Sequence, residues 1–329
     1  FKGIVLLSIT TLIFSSNSAA CRYLFTELDH TPPVFLFNAA AATAAAMAGL
    51  LFKTTMSTFN KESSAPESNS TMEEDVRSGA ELGFWKFVGA SFNFLGVSMT
   101  TAGQAAFCTQ MTTLIVPLLQ SFLGVPVPKK IWGACLLAVA GVGMLTFDSV
   151  SSLSPDTAQT QLIGDALCVI GAVSFGTFDI RMNKFSEKVQ PVNLTLWKVV
   201  SQMVFSIGAF AVLVGLDVGG QSEQLAAFLA NADAGDWQKT ALVVFWNGAL
   251  VNFLATYIQV PGQAIVGPSR SQVVYSSNPL LSALLAWALL GETVGFGGVL
   301  GGGAFIAALL LAATTPPATA QERKTAKDQ

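Results

Sequence analysis

The sequence predicts an all-α integral membrane protein of ten transmembrane helices, built as two inverted five-helix repeats. Three observations carry this. Ten apolar stretches, each roughly the 20 residues that a bilayer span needs, follow one another along the 329 residues. The second five repeat the punctuation of the first five, and an odd number of spans per half turns the halves upside down relative to each other. Lysine and arginine then sort almost wholly to one side of the membrane.

The spans of the first half are expected at Gly3–Cys21, Val34–Phe52, Leu82–Met99, Ala102–Leu123 and Ile131–Phe147, making residues 1–147 the first repeat. Between its second and third spans, residues 53–81 are rich in Ser and Glu and cannot bury a core, so a mobile polar loop is expected. Residues 148–161 form a linker. The second repeat, residues 162–313, has spans at Leu162–Ile180, Thr195–Leu216, Ala241–Ile258, Ser269–Leu290 and Val294–Ala313. Within it the acidic stretch Asp217–Asp236 has room for a short surface helix, and residues 314–329, with Pro316 and Pro317, read as a disordered tail. Barrel strands would be half as long and would alternate apolar with polar residues, which Leu136–Leu145 and Leu280–Leu290 do not.

Composition agrees. Only 11% of the residues are charged, against roughly 25% in a soluble domain, so a soluble fold would lack the charge to cover its surface. Mean hydropathy is +0.56. A net charge of −3 gives no basis for nucleic-acid binding. Cys21, Cys108, Cys135 and Cys168 are far apart and show no metal-ligand spacing, so neither a disulfide framework nor a metal site is expected. The chain opens at Phe1 and is soon inside its first apolar segment, as expected if a presequence such as an organelle-targeting peptide precedes it.

With the N-terminus inside, the inner segments hold Lys2, Lys53, Lys61, Arg77, Lys129, Lys130, Arg181, Lys184, Lys188, Arg323, Lys324 and Lys327. The outer segments hold Arg22 and Lys239, while Lys86, Lys198 and Arg270 fall at or within helices. Twelve against two places both termini in the cytosol, or in the stroma of a plastid. The repeat shows in the punctuation. Arg22 closes the first helix ten residues before Pro32, and Arg181 closes the sixth ten residues before Pro191. Thr109-Gln110-Met111-Thr112 precedes Phe122-Leu123-Gly124 as Ser276-Ser277-Asn278-Pro279 precedes Leu289-Leu290-Gly291.

The run Pro279–Glu292, with its apolar helix and terminal Leu290-Gly291-Glu292, resembles the ninth span of the EamA-like family of the drug/metabolite transporter superfamily. Val266-Gly267-Pro268-Ser269-Arg270 resembles the start of that helix. Residues 112–119 and 132–142 resemble the fourth and fifth spans, so the likeness covers essentially the whole chain. The resemblance implies ten helices, a central aqueous cavity and the transport of small organic solutes. Two positions depart from the family pattern, Gly124-Val125 where many relatives have Gly-Glu, and Asn38 where an Arg is common.

Candidate substrate-binding residues follow from the cost of polar groups at membrane depth. Arg270, four residues beyond Val266 and just after the Gly267-Pro268 break, could present a guanidinium to an anion; it also fits an interfacial anchor or a partner for Asp179. Gln104, Thr109, Gln110 and Thr113 of the fourth span, and Gln272, Tyr275, Ser276 and Asn278 of the ninth, recur at near-helical spacing and suit a polar cavity. Asn17, Asn93 and Asn247 make weaker versions of the same case. The competing reading is that such residues bind helices to one another. Pro279, Gly291 and Glu292 are read as structural motif. No nucleophile, base and orienting group occur together and no nucleotide loop follows a strand, so no catalytic residue, cofactor or metal is expected.

The leading functional reading is a secondary transporter of a small organic metabolite, working by alternating access between the repeats. The second is a transporter-derived structural subunit of a larger membrane assembly, such as a plastid photosynthetic complex, which the two departures allow. Expected partners are membrane lipids and a small organic solute, with room for a homodimer or membrane-complex partners and none for nucleic acid.

Overall fold

The computed structural model describes residues 2–26, 28–59, 70–124, 130, 132–134, 136–137, 140–141, 144, 155–266, 271, 274–275, 277–291 and 295–313. Among them every regular element is helical. In chain order these are α1 (Lys2–Thr26), α2 (Val34–Phe59), α3 (Met72–Met99), α4 (Ala102–Gln110), α5 (Thr112–Phe122), α6 (Pro155–Phe185), α7 (Pro191–Gly215), α8 (Gln221–Asn231) and α9 (Ala234–Phe245). A nine-residue π-helix, Trp246–Leu254, joins α9 to α10 (Ala255–Val266), and α11 (Asn278–Leu290) and α12 (Phe296–Ala313) follow. Within the expected fifth span, residues 132–134, 136–137, 140–141 and 144 are helical, and the rest lies outside the described residues.

Among the described residues, six helical runs are long and apolar enough to cross a membrane: Lys2–Thr26, Val34–Met56, Ala102–Phe122, Pro155–Phe185, Pro191–Gly215 and Ala234–Val266. Several extend beyond the apolar segments. The stretch expected as loop at 53–81 is helical up to Phe59 and again from Met72. The reason at Met72 is a capping box. Thr71 Oγ1 accepts from the Glu74 backbone N–H at 3.2 Å, and Glu74 Oε2 accepts from the Thr71 N–H at 3.0 Å. Glu73, Glu74 and Asp75 then place negative charge on the positive end of the helix dipole. Hydropathy is blind to such a polar first turn. In the same way α6 starts at Pro155, inside the expected linker, with proline at a position where its missing N–H costs nothing.

The short helix expected within 217–236 is α8. It is entered through Asp217, whose φ of 50° is unusual for a residue with a side chain. The Ser222 hydroxyl, at 2.5 Å, and the Ser222 backbone N–H, at 3.2 Å, both donate to its carboxylate and hold it below its ordinary pKa. Asn231 ends α8, and Asp233 caps α9 by accepting from the Asp236 N–H at 2.7 Å.

Helices of the two halves interleave. α3 packs against α6 and α7, α2 against α7 and the π-helix, and α1 against α10 and α11, while α4 meets both α6 and α11. Small residues make these approaches close. A Cβ added at Gly164 on α6 would lie 2.9 Å from the Gly96 carbonyl oxygen on α3. Between lipid-exposed helices such close van der Waals packing takes over from the hydrophobic effect. Aromatic edges fill the wider gaps: Phe37 meets Phe25 and Phe94 edge to face at 5.8 and 5.1 Å between ring centroids.

The matched punctuation of the fourth and ninth spans has a structural counterpart. Gly124 after α5 and Gly291 after α11 have φ of 86° and 66°, a left-handed stop that favours glycine. Met111 interrupts the fourth span between α4 and α5, and Ser277 is a turn residue at the start of α11. Pro279 sits in the first turn of α11. Glu292 lies outside the described residues.

Candidate functional site

A cavity of about 1020 Å³, counting the solvent at its mouth, opens between the interleaved helices. Its wall is mostly apolar, with Phe14, Phe94, Phe175 and Phe178 around it and polar groups set between them. Seven residues singled out in the sequence reach it: Asn17, Asn93, Thr109, Gln110, Asn247, Tyr275 and Asn278. They come from α1, α3, α4, the π-helix and the ninth span.

Several of these side chains also join helices. Asn93 Nδ2 donates to Thr109 Oγ1 at 2.7 Å, tying α3 to α4. Asn247 Nδ2 donates to Asn17 Oδ1 at 2.5 Å, tying the π-helix to α1. Gln110 Nε2 donates to Thr113 Oγ1 at 2.5 Å, leaving Thr113 buried behind the wall. The Thr112 hydroxyl reaches the Ala172 carbonyl at 3.2 Å across to α6. Cavity lining and interhelical bonding, alternatives in the sequence, are both served by the same residues.

Gln104 is elsewhere. It lies buried at the turn between α3 and α4 in a network with Thr100, Gln161 and Asp165. Thr100 donates to Asp165 Oδ1 at 2.6 Å, so this cluster pins α6 to the α3–α4 turn. Arg270, Gln272 and Ser276 lie outside the described residues.

The cavity also gathers charges. Lys86, half-buried on α3, places its ammonium 4.7, 5.2 and 5.5 Å from the ring centroids of Phe175, Phe178 and Phe14. Those are cation–π distances. Asp179 on α6, 6% exposed, accepts from Gln259 Nε2 at 3.1 Å, and its backbone carbonyl accepts from Gln263 Nε2 at the same distance. Behind the wall, Lys198 on α7 donates to the Asn252 backbone oxygen at 3.0 Å and to Asn252 Oδ1 at 2.5 Å. Asn252 Nδ2 in turn donates to Gln202 Oε1 at 3.0 Å, and both residues face the cavity.

Lys86, Gln202, Gln259 and the wall position of Asp179 are what residue-by-residue reading missed. A signal existed, because Lys86 and Lys198 fall inside the predicted third and seventh spans, where a cation is costly and faces protein or water. Of the three cations at or within the predicted helices, Lys86, Lys198 and Arg270, only Arg270 is a binding candidate on sequence grounds. The π-helix carries Asn247, Val251 and Asn252 onto the wall. Such i→i+5 segments are rare and concentrate at functional sites. Beneath the cavity, Arg181 on α6 makes a two-pronged ion pair with Glu81 on α3, Nη2 to Oε2 at 2.7 Å. Among the described residues no three His, Cys, Asp or Glu side chains gather as a metal site would require.

The model of the EamA-like transporter family matches the sequence from 162 to 314, which takes in α6 to α12 and every second-half residue of the cavity wall. That match, with the six apolar runs found among the described residues, indicates an integral multi-pass membrane protein whose second half is of the transporter type. No curated protein matches it in sequence. In fold, 27 chains of solved structures match it. One protein of known crystal structure, 15% identical, aligns over 95% of this chain and 98% of its own with a TM-score of 0.62. That likeness concerns the fold alone, and it runs through the half that precedes the EamA-like region as well.

Proposed function

We propose that the protein is a secondary transporter that moves a small organic metabolite across a membrane by alternating access between two inverted five-helix repeats of a ten-helix bundle. The observation that carries this is the composition of the cavity wall. Polar side chains from α1, α3 and α4 face polar side chains from α6, the π-helix and α10 across one space. A site between halves is where rocking of one against the other would expose it to either side in turn.

The packing supports the inverted repeat. Exchanging the first five spans for the second five turns the α3–α6 contact into that of α10 and the π-helix with α1. It turns α2 on the π-helix into α7 on α3, and α4 on α6 into α11 on α1. The α2–α7 and α4–α11 contacts map onto themselves. Gly124 and Gly291 stop corresponding helices in the same way. In this reading both termini face the cytosol or stroma, and the chain carries solute without transforming it.

The test is counterflow in proteoliposomes loaded with a mixed metabolite pool. Purified protein should accelerate entry of at least one labelled solute, saturably, well above protein-free vesicles. Entry that stays at the protein-free rate for every solute class, with the protein folded and inserted, overturns the proposal.

A further inference from the structure

The cavity wall presents three polar groups that the protein leaves unused. The Lys86 ammonium lies against ring faces and feels the Asp179 carboxylate at a distance; it makes no hydrogen bond or ion pair among the described residues. Gln259 Oε1 and the Tyr275 hydroxyl are both buried and both without a hydrogen-bond partner among the described residues. Tyr275 lies within electrostatic reach of Gln259 and Asp179, but the pair with Gln259 falls outside hydrogen-bond geometry. Burying a polar atom without a partner forfeits its hydrogen bond to water and destabilises the empty site. A cation at membrane depth costs more, and ring faces return only part of it. Three such groups around one space describe the complement of a ligand.

That complement has a definite chemistry. Lys86 offers up to three N–H donors and a positive charge to an anion. Gln259 Oε1 can only accept, so the ligand must bring a donor of its own, and Tyr275 can serve either role. Phe14, Phe94, Phe175 and Phe178 require the remainder to be apolar. Among the described residues, the charges at and just behind the wall are Lys86, Lys198 and Asp179, an excess of one positive charge, which suits a monoanion better than a dianion or a cation.

We infer that the cavity binds small organic monocarboxylates with an apolar body and a hydroxyl group. Lys86 seats the carboxylate, and Gln259 with Tyr275 receives the hydroxyl. This rests on the carrier reading and names its substrate class.

The experiment uses the purified full chain in detergent micelles and equilibrium binding of acids paired with their uncharged amides: lactate with lactamide, mandelate with mandelamide, benzoate with benzamide. At least one acid should bind about ten- to a hundredfold more tightly than its amide, the range expected for one charge-assisted hydrogen bond. Mandelate should exceed phenylacetate, and Tyr275→Phe should narrow that difference. Lys86→Gln should abolish the preference for acid over amide, while Lys86→Arg keeps it, which separates lost charge from lost folding. Amides binding as well as acids, no acid in the panel binding at all, or Lys86→Gln preferring acids as before would each overturn the inference. Binding of an acid by protein that moves no solute in vesicles would leave this inference standing and remove the carrier reading. Transport of other solutes with no acid bound would do the reverse.

Discussion

A lysine ammonium sealed among carbonyl oxygens is tolerable only while those acceptors stay in place. Lys198, 1% exposed, depends on Asn252 for two of its hydrogen bonds, with the Thr256 hydroxyl more distant at 3.5 Å. Removing the acceptor and removing the cation are therefore not equivalent. Asn252→Ala leaves the buried ammonium only the backbone oxygen of residue 252 and the distant Thr256 hydroxyl, and should cost about 3 kcal/mol, the upper end for a lost hydrogen bond to a charged group. Lys198→Met strands neutral acceptors but also removes the charge, and should cost only about 1–3 kcal/mol. Denaturation of both variants in the same detergent checks the order, and a larger loss for Lys198→Met would show that the ammonium is not held as described. At this scale the sequence reveals which residues are out of place in a membrane, since Lys86 and Lys198 sit within apolar runs. It does not reveal what each one meets.

At the scale of helices, the antiparallel pair α3 and α6 shows why glycine positions matter unequally. A Cβ on Gly164 would stand 2.8 Å from Met99 Cβ and 2.9 Å from the Gly96 carbonyl oxygen, so neither neighbour can yield without moving a helix. Gly208 on α7 has nothing within 4 Å of the same atom. Gly164→Ala should then destabilise the protein by roughly 1–3 kcal/mol, the cost of overpacking. Gly208→Ala should be neutral or stabilise by up to about 1 kcal/mol, from helix propensity alone. Thermal melting of the two variants separates these outcomes, and equal effects would mean that the α3–α6 approach is looser than drawn here. Element ends tell a similar story. The apolar pattern located α3 well inside its true span, because the ten residues from Met72 to Glu81 are stabilised by a cap and a dipole rather than by lipid.

For the whole molecule, the charge sorting makes a prediction about sidedness. With the N-terminus inside, the start of α3 faces the cytosol and α8 the opposite compartment. The described native cysteines, Cys21, Cys108 and Cys168, are buried, so an exposed new thiol can be read against them. Met72→Cys and Ala226→Cys, both at exposed positions, should react with a membrane-impermeant maleimide from opposite sides of sealed vesicles. Labelling of both from one side would refute the inverted arrangement.

The sequence by itself determined that this chain is helical and membrane-embedded, and it identified the family-like ninth span and seven of the polar residues that face the cavity. These are properties of length, hydropathy and local punctuation, which a bilayer enforces on each segment separately. Only the tertiary structure decided which polar residues share a space. Gln104 and Gln110 lie six residues apart on one span, yet the first closes a network with Asp165 while the second faces the cavity. Likewise Lys86 and Gln259, from opposite halves, meet around Asp179, because close glycine contacts set the helix rotations that aim them there. Helix rotation is fixed by packing partners distant in the chain, and no local pattern encodes it.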